Sequence, residues 1–268
     1  MRAFTAGLLA GWTAAAFLWA HPTHLRNNTT RADTVWIELS ADVGVAIAWD
    51  GHEALQQYRA LTQAEGFPVA FPPSELFSLS FRIPIDSLWR LRLTAGSIQL
   101  LADHTYRQWL EEEHRRGERV VRALLRLHGL PVWAGLEWQP LRSQFRTYLH
   151  AAAGIVVWHF LWQERITTSI PGDARHGGLY RNQRLLRPSV RVLAGTALSF
   201  DAAARGSLLE GIRVEAAYCF LPLRDALLEP VAAQFPGSTL ETGRPLPLSG
   251  SMLTLCASIA FQIPFVLR

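Results

Sequence analysis

Residues 251–265, SMLTLCASIAFQIPF, decide the fold. Every second residue from Leu253 to Phe265 is apolar, and the residues between them are mostly small or polar. Successive side chains of a β-strand point to opposite faces, so this pattern predicts a strand with one apolar and one mixed face. The stretch exceeds the roughly 9–11 tilted residues that a strand needs to cross a bilayer. It therefore raises the question whether the rest of the chain repeats the pattern.

The same alternation recurs in seven earlier segments. They lie at about 35–49, 77–85, 89–96, 120–138, 145–157, 190–200 and 212–220. The connections at 86–87, 139–144 and 201–207 are short, whereas those at 50–76, 104–119, 163–188 and 222–250 are long and rich in charges and breakers. Residues 53–65 could form a short helix in the first long connection. Eight antiparallel strands with alternating short and long turns predict a closed up-and-down barrel.

The distribution of charge favours a transmembrane barrel over a soluble one. In a lipocalin-like barrel the apolar face points inward and binds an apolar ligand, whereas in a membrane barrel it faces lipid and the polar face fills the lumen. Ten charged residues fall on the face opposite the apolar one, among small residues that leave room for them. This predicted lumen network comprises Glu38, Asp42, Arg82, Arg90, Arg92, Glu137, Arg146, Arg191, Arg213 and Glu215. We expect these residues to pair and plug the barrel, because eight strands leave an interior that side chains about fill.

The N-terminal residues have the pattern of a targeting signal. Residues 1–20 have a basic start at Arg2, an apolar middle and a small residue at Ala20, which predicts a secretory signal peptide. A membrane-anchoring helix is the alternative, since nearly twenty apolar residues could span a bilayer. We expect residues 21–34 to be a periplasmic leader and residues 35–265 to be the barrel.

Composition adds little about partners or chemistry. The chain has 26 basic and 22 acidic residues, all the basic ones arginine, and no concentrated basic run; we therefore expect no nucleic-acid partner. No G-x-S-x-G motif is present, and His21 and His24 lack a third ligand, so we expect no enzyme, metal site or cofactor. We expect His150 to be a satisfied lumen histidine. Cys219 and Cys256 should face the lumen from neighbouring strands, either as free thiols or, if the register brings their Cα atoms within about 7 Å, as a disulfide.

Residues 129–158, GLPVWAGLEWQPLRSQFRTYLHAAAGIVVW, resemble the central hairpin of small outer-membrane β-barrel proteins of the OmpA/OmpW-like superfamily. Residues 190–220 resemble the next hairpin of that family. The resemblance implies a bacterial outer-membrane location with both termini in the periplasm and the long loops outside. Phe265 would correspond to the terminal aromatic recognised by the barrel-assembly machinery, although Val266, Leu267 and Arg268 follow it. Girdle aromatics would be Trp49, Trp89, Trp138, Phe200, Tyr218, Phe220 and Phe265.

These features predict a structural or surface-contact role in contact with outer-membrane lipids. Because the barrel wall is occupied by lipid, the long loops would carry specificity for an extracellular partner. The alternatives are a narrow channel or carrier for small hydrophobic molecules and the soluble ligand-binding barrel.

Overall fold

The computed structural model is an all-β barrel of eight antiparallel strands with one short helix. It describes residues 34–49, 52–112, 115–140, 145–169, 180–200, 208–221, 223, 227–228, 246–248 and 250–266, so the proposed signal peptide, His21 and His24 lie outside the described residues. The barrel strands are β1 Thr34–Ala48, β2 Ser74–Pro84, β3 Trp89–Glu112, β4 Arg115–Trp138, β5 Phe145–Thr168, β6 Tyr180–Ser199, β7 Leu209–Phe220 and β10 Met252–Val266. Helix α1 spans His52–Thr62, and two-residue strands β8 (Leu227–Leu228) and β9 (Leu246–Pro247) pair between β7 and β10.

The barrel closes without a free end strand. Each strand pairs with its neighbour in the chain, and the ring closes through β10 and β1 in the order β1-β10-β7-β6-β5-β4-β3-β2. Where all eight strands are present, closure leaves each strand hydrogen-bonded on both sides. This is the condition for a backbone to cross lipid. Val35–Phe265 form one compact unit. Among the described residues, no helix is both long enough and apolar enough to cross a membrane.

The apolar side chains of the alternating pattern point out of the barrel. Val132, Ile155, Val192 and Leu255 have exposed fractions of 53%, 46%, 56% and 51%, which in water would be an unfavourable apolar belt. Trp89 and Trp138 are cross-strand partners at one end of this band, and Trp49 lies at the other. The apolar face therefore points outward, as predicted. This excludes a soluble barrel whose interior is apolar where the outer band lies.

Two of the predicted long connections are wrong. From the pair Ile98 and Gly129 onward, strands β3 and β4 pair without interruption as far as Glu112 and Arg115, so residues 104–112 and 115–119 are strand rather than loop. Strands β5 and β6 likewise extend to Thr168 and from Tyr180, which shortens the predicted connection at 163–188 to 169–179. Turns therefore do not alternate strictly between short and long. The charges that suggested loops lie on the water-facing side of strands that continue beyond the apolar band.

Pro188 is accommodated within β6 for a topological reason. Strand β7 pairs with β6 only from Val190 to Ser199, so Pro188 lies where β6 bonds to β5 alone. A proline lacks the backbone N–H and is tolerated at a strand edge. Above this point β3 to β6 continue as a four-stranded sheet.

Thiol labelling tests the direction of the apolar face. In a Cys219→Ala/Cys256→Ala background folded into lipid vesicles, a cysteine introduced by Thr105→Cys should react with a water-soluble maleimide. A cysteine introduced by Val132→Cys should be protected because lipid covers the middle of the band. Both should react equally after unfolding in urea. Rapid labelling of the Val132→Cys variant in the folded state would contradict the membrane arrangement.

Candidate functional site

The barrel interior divides into a charged layer and an apolar layer. The charged layer lies within the apolar band and is built by side chains that point inward from all the strands from β1 to β7. The apolar layer lies inside the extended β3–β6 sheet, next to α1. Every second residue of a strand faces inward. The same strands therefore build both layers, because their inward residues are charged at one level and apolar at the other.

Arg82 is the centre of the charged layer. It is fully buried, and each of its three guanidinium nitrogens donates to a carboxylate from a different strand. Nε reaches Glu137 Oε2 at 2.9 Å, Nη1 reaches Glu38 Oε1 at 2.9 Å, and Nη2 reaches Glu215 Oε1 at 2.8 Å. The guanidinium therefore ties β2 to β1, β4 and β7 across the lumen. Pairing of this completeness is what a buried charge requires.

Glu215 gathers a second group of donors. Arg92 binds it bidentately, with Nη1 to Oε1 at 2.7 Å and Nη2 to Oε2 at 2.8 Å. Tyr148 donates its hydroxyl to Oε1 at 2.7 Å, and Arg191 Nη2 lies 3.8 Å from Oε2. Bidentate arginine–carboxylate pairs fix geometry as well as charge. Glu215 thereby connects β7 to β2, β3, β5 and β6.

Glu38 and Asp42 accept further hydrogen bonds in the same layer. Glu38 also accepts from Arg90 at 2.9 Å and from Arg213. Asp42 accepts from the hydroxyls of Ser40, Ser78 and Ser80 at 2.8 to 3.0 Å. Hydroxyls were not part of the sequence prediction, although their strand parity alone places them on the inward face.

Two members of the predicted network are less central. Arg146 is 27% exposed and pairs at 3.0 Å with Glu210, a residue that strict alternation assigns to the lipid face with Ile212. A register shift between Ala260 and Phe261 of the partner strand interrupts the alternation, and Glu210 is buried. Arg191 stacks over Trp133 with its Cζ 5.1 Å from the ring centroid. The structure thus brings all ten predicted residues to the inward face and adds Glu210.

The two cysteines are free and buried. Cys219 lies opposite Met252, whereas Cys256 lies opposite Glu215, so the two are offset by four residues along neighbouring strands. Four residues of strand correspond to about 13 Å, which exceeds the roughly 7 Å that a disulfide allows. The register therefore excludes the disulfide alternative. His150 is also buried in the lumen, but neither ring nitrogen has a hydrogen-bond partner among the described residues, so the expectation of a satisfied histidine is wrong.

The apolar layer fills the other half of the interior. Its largest members are Trp158, Phe160 and Trp162, all fully buried, with leucines of β3 and β4 around them. Sequence reasoning missed this layer because it ended the fifth segment at residue 157, before Trp158, Phe160 and Trp162, and placed Tyr106 and Ile166 in long connections. The signal was present as continued two-residue alternation, for instance Val121, Ala123, Leu125 and Leu127 on β4.

Helix α1 closes the apolar layer. Leu55 and Tyr58 are fully buried, and the Tyr58 ring packs edge-on against Trp162 with centroids 5.1 Å apart. The Tyr58 hydroxyl donates to Glu164 Oε1 at 2.7 Å and shares a 2.7 Å hydrogen bond with the Tyr106 hydroxyl. Burial, followed by the neighbouring Glu164 carboxylate, raises the pKa of Tyr58 well above its usual value. The hydroxyl therefore stays protonated and remains a donor.

The end of α1 is set by its backbone. The chain leaves the helix at Gln63 with a φ of 50° and turns again at Gly66 with a φ of 78°. The second conformation favours glycine, which has no Cβ to oppose a positive φ. The turn brings Phe67 back to the Tyr58 ring, with centroids 4.7 Å apart.

A closed eight-stranded barrel, lined by paired charges and surrounded by an apolar band, defines a transmembrane β-barrel of the bacterial outer-membrane class. Among the described residues, no three histidine, cysteine or acidic side chains are grouped so that they could hold a metal ion.

Solved structures of the same architecture are similar to this chain. Neisserial surface protein A matches with a TM-score of 0.39 and 7% identity, over 85% of this chain and 97% of that one. Ail, the attachment invasion locus protein of Yersinia pestis, matches with 0.33 and 12%, over 87% and 100%. The N-terminal β-barrel domain of Pseudomonas aeruginosa OprF matches with 0.32 and 10%, over 85% and 97%. No protein-family model matches the chain, and no curated protein matches it.

Removal of the Glu215 carboxylate tests the charged layer. Glu215→Ala leaves Arg82 and Arg92 buried with unpaired donors, so the free energy of unfolding should fall by about 3–5 kcal/mol. Urea unfolding of the protein in vesicles, followed by tryptophan fluorescence, measures this change.

The matched control is Asp103→Ala, which breaks an exposed bridge to Arg122 and should cost no more than about 1 kcal/mol. Equal losses for the two variants would contradict a buried ion-pair network.

Proposed function

We propose that this protein is a sealed, non-enzymatic outer-membrane barrel whose extended β3–β6 sheet and long connections make contacts outside the cell. The observation that carries the proposal is the filling of the interior at two levels in series. Arg82 and its carboxylates occupy one level, and Trp158, Phe160 and Trp162 with α1 occupy the other. A continuous water path through the described interior is incompatible with either layer.

The length of the strands supports the contact role. Strands β3, β4 and β5 each have 24 residues, whereas crossing a bilayer takes roughly 9–11. About a dozen residues of each strand therefore lie beyond the apolar band. A rigid sheet held above a membrane presents a surface that flexible loops alone would not.

The alternative of a carrier for small hydrophobic molecules is less well supported. The apolar inner layer would suit a carrier, but that layer is packed with aromatic rings and closed by α1. The gap between the two layers, lined by Trp133, Arg191 and Cys219, is too narrow to hold a water molecule. A solute would have to displace side chains to enter.

Planar-bilayer recordings test the seal. The wild-type protein should give no steady conductance, and so should variants that open one layer alone. These are Arg82→Ala/Glu215→Ala for the charged layer and Leu55→Ala/Tyr58→Ala for the docking of α1. Only the combination of all four substitutions should conduct, because the two layers block the same path.

Conversion between heat-sensitive and heat-resistant forms on gel electrophoresis is the folding control for each variant. Discrete channels in the folded wild-type protein would contradict the proposal.

A further inference from the structure

A serine and a histidine share a hydrogen bond on the outward face of the barrel, away from the lumen network. Ser97 Oγ lies 2.9 Å from His128 Nε2, and both side chains are partly buried. A hydroxyl within hydrogen-bonding distance of an imidazole nitrogen is the arrangement that activates a serine nucleophile. When the imidazole carries its hydrogen on Nδ1, Nε2 accepts the hydrogen of the hydroxyl. The pair therefore has the geometry of a nucleophile and its base.

The register places this pair at the boundary between acyl chains and lipid headgroups. Ser97 lies level with Leu130, because the next residue of β3, Ile98, pairs with Gly129. Leu130 belongs to the last outward row that is apolar on β4, β5 and β6 alike. His128 lies one outward row further along β4, at a distance of about 6.7 Å. Because the ester bonds of membrane lipids lie where the hydrocarbon core meets the polar region, the Ser97 hydroxyl is held at their depth.

The surroundings of the pair suit attack on a carbonyl group. Gln99 follows Ser97 on the same face of β3 and is the cross-strand partner of His128. Its amide N–H groups can donate to a carbonyl oxygen on which negative charge develops. The β3–β4 register gives Gly96 and Ser97 no partner in β4, beside Pro131, which has no N–H to donate. The ladder is therefore interrupted next to the nucleophile, where a lipid carbonyl would approach.

We propose that Ser97 is an acylation site, at which the hydroxyl accepts a fatty acyl group from an ester-linked lipid of the surrounding membrane. Ser97 Oγ attacks the ester carbonyl, and its proton passes to His128 Nε2. The ester C–O bond breaks, the lipid oxygen takes that proton, and the lipid leaves in its lyso form. An O-acyl serine remains, and no oxidant or other reactant is consumed. The attached chain lies along the apolar band, where little water reaches the new ester to hydrolyse it.

This reaction is a single modification of the chain rather than catalytic turnover. It goes beyond the sealed, contact-making barrel and does not depend on it, because the pair lies on the outward face and neither interior layer takes part. Failure of the seal in conductance measurements would leave the acylation site untouched, and failure of acylation would leave the seal untouched.

Mass measurement of the folded protein tests the proposal. The full chain is folded into vesicles that contain an ester-linked phospholipid and an acylated glucosamine disaccharide, whose acyl chains differ in length so that the added mass identifies the donor. Wild-type protein should gain the mass of one acyl chain, located at Ser97 by peptide mapping, with one lyso lipid formed per protein chain. Vesicles of a dialkyl ether phospholipid, which has no ester, should leave the mass unchanged.

Three variants locate the chemistry. Ser97→Ala should carry no acyl group, and His128→Gln should slow acylation by about a hundredfold, a typical contribution of a general base. His159→Gln is the matched control and should react as the wild-type protein does. His159 is the cross-strand partner of His128 but is hydrogen-bonded to Asn182 rather than to a serine. A fluorophosphonate probe gives a second readout, since it should label the folded wild-type chain at Ser97.

Wild-type protein that stays unmodified in the ester-containing vesicles would overturn the proposal. Acylation of Ser97→Ala, or equal rates for His128→Gln and the wild-type protein, would also do so. Release of free fatty acid in excess of the protein would likewise contradict it, because the acyl group would then not stay on Ser97. The measurements on the wild-type chain stand even if a variant fails to fold.

Discussion

The interaction on which the structure depends is the three-way pairing of Arg82. A guanidinium sealed inside a barrel loses its hydration, and only complete pairing offsets that cost. Arg82 meets this requirement through Glu38, Glu137 and Glu215, which come from three other strands. The register of those strands is therefore fixed from within. Because Arg82, Arg92 and their carboxylates are held in the lumen, the outer wall of the band carries lipid-facing side chains.

Each long strand combines two patterns, because one half is surrounded by lipid and the other by water. Along β4 the inward residues change from Glu137 to Leu127, while the outward residues change from Leu136 to Arg126. Within the band, the polar face is inside and the apolar face outside. Beyond the band the assignment reverses, and the inward face forms an apolar core that α1 completes. The same reversal explains both the apolar seal and the arginines on the outer surface.

The two-residue period was sufficient to predict the eight strands and the residues of the charged layer, since parity alone places a side chain on a face. It was not sufficient where the environment changed. Residues 104–119 were assigned to a loop because they are rich in charge. Of these, residues 104–112 and 115–119 belong to strands β3 and β4, where the sheet is surrounded by water. Glu210 was not predicted to face the lumen because the register shift in its partner strand interrupts the alternation. A single sequence does not show such a shift.

A double-mutant cycle between Arg82 and Glu215 tests the central claim most directly. The free energy of unfolding in vesicles is measured for the wild-type protein, Arg82→Met, Glu215→Gln and the double variant. If the lumen pairing holds the strands together, the losses should be non-additive, with a coupling energy of at least about 2 kcal/mol, because each single variant leaves a buried charge unpaired. Additive losses within about 0.5 kcal/mol would contradict the account.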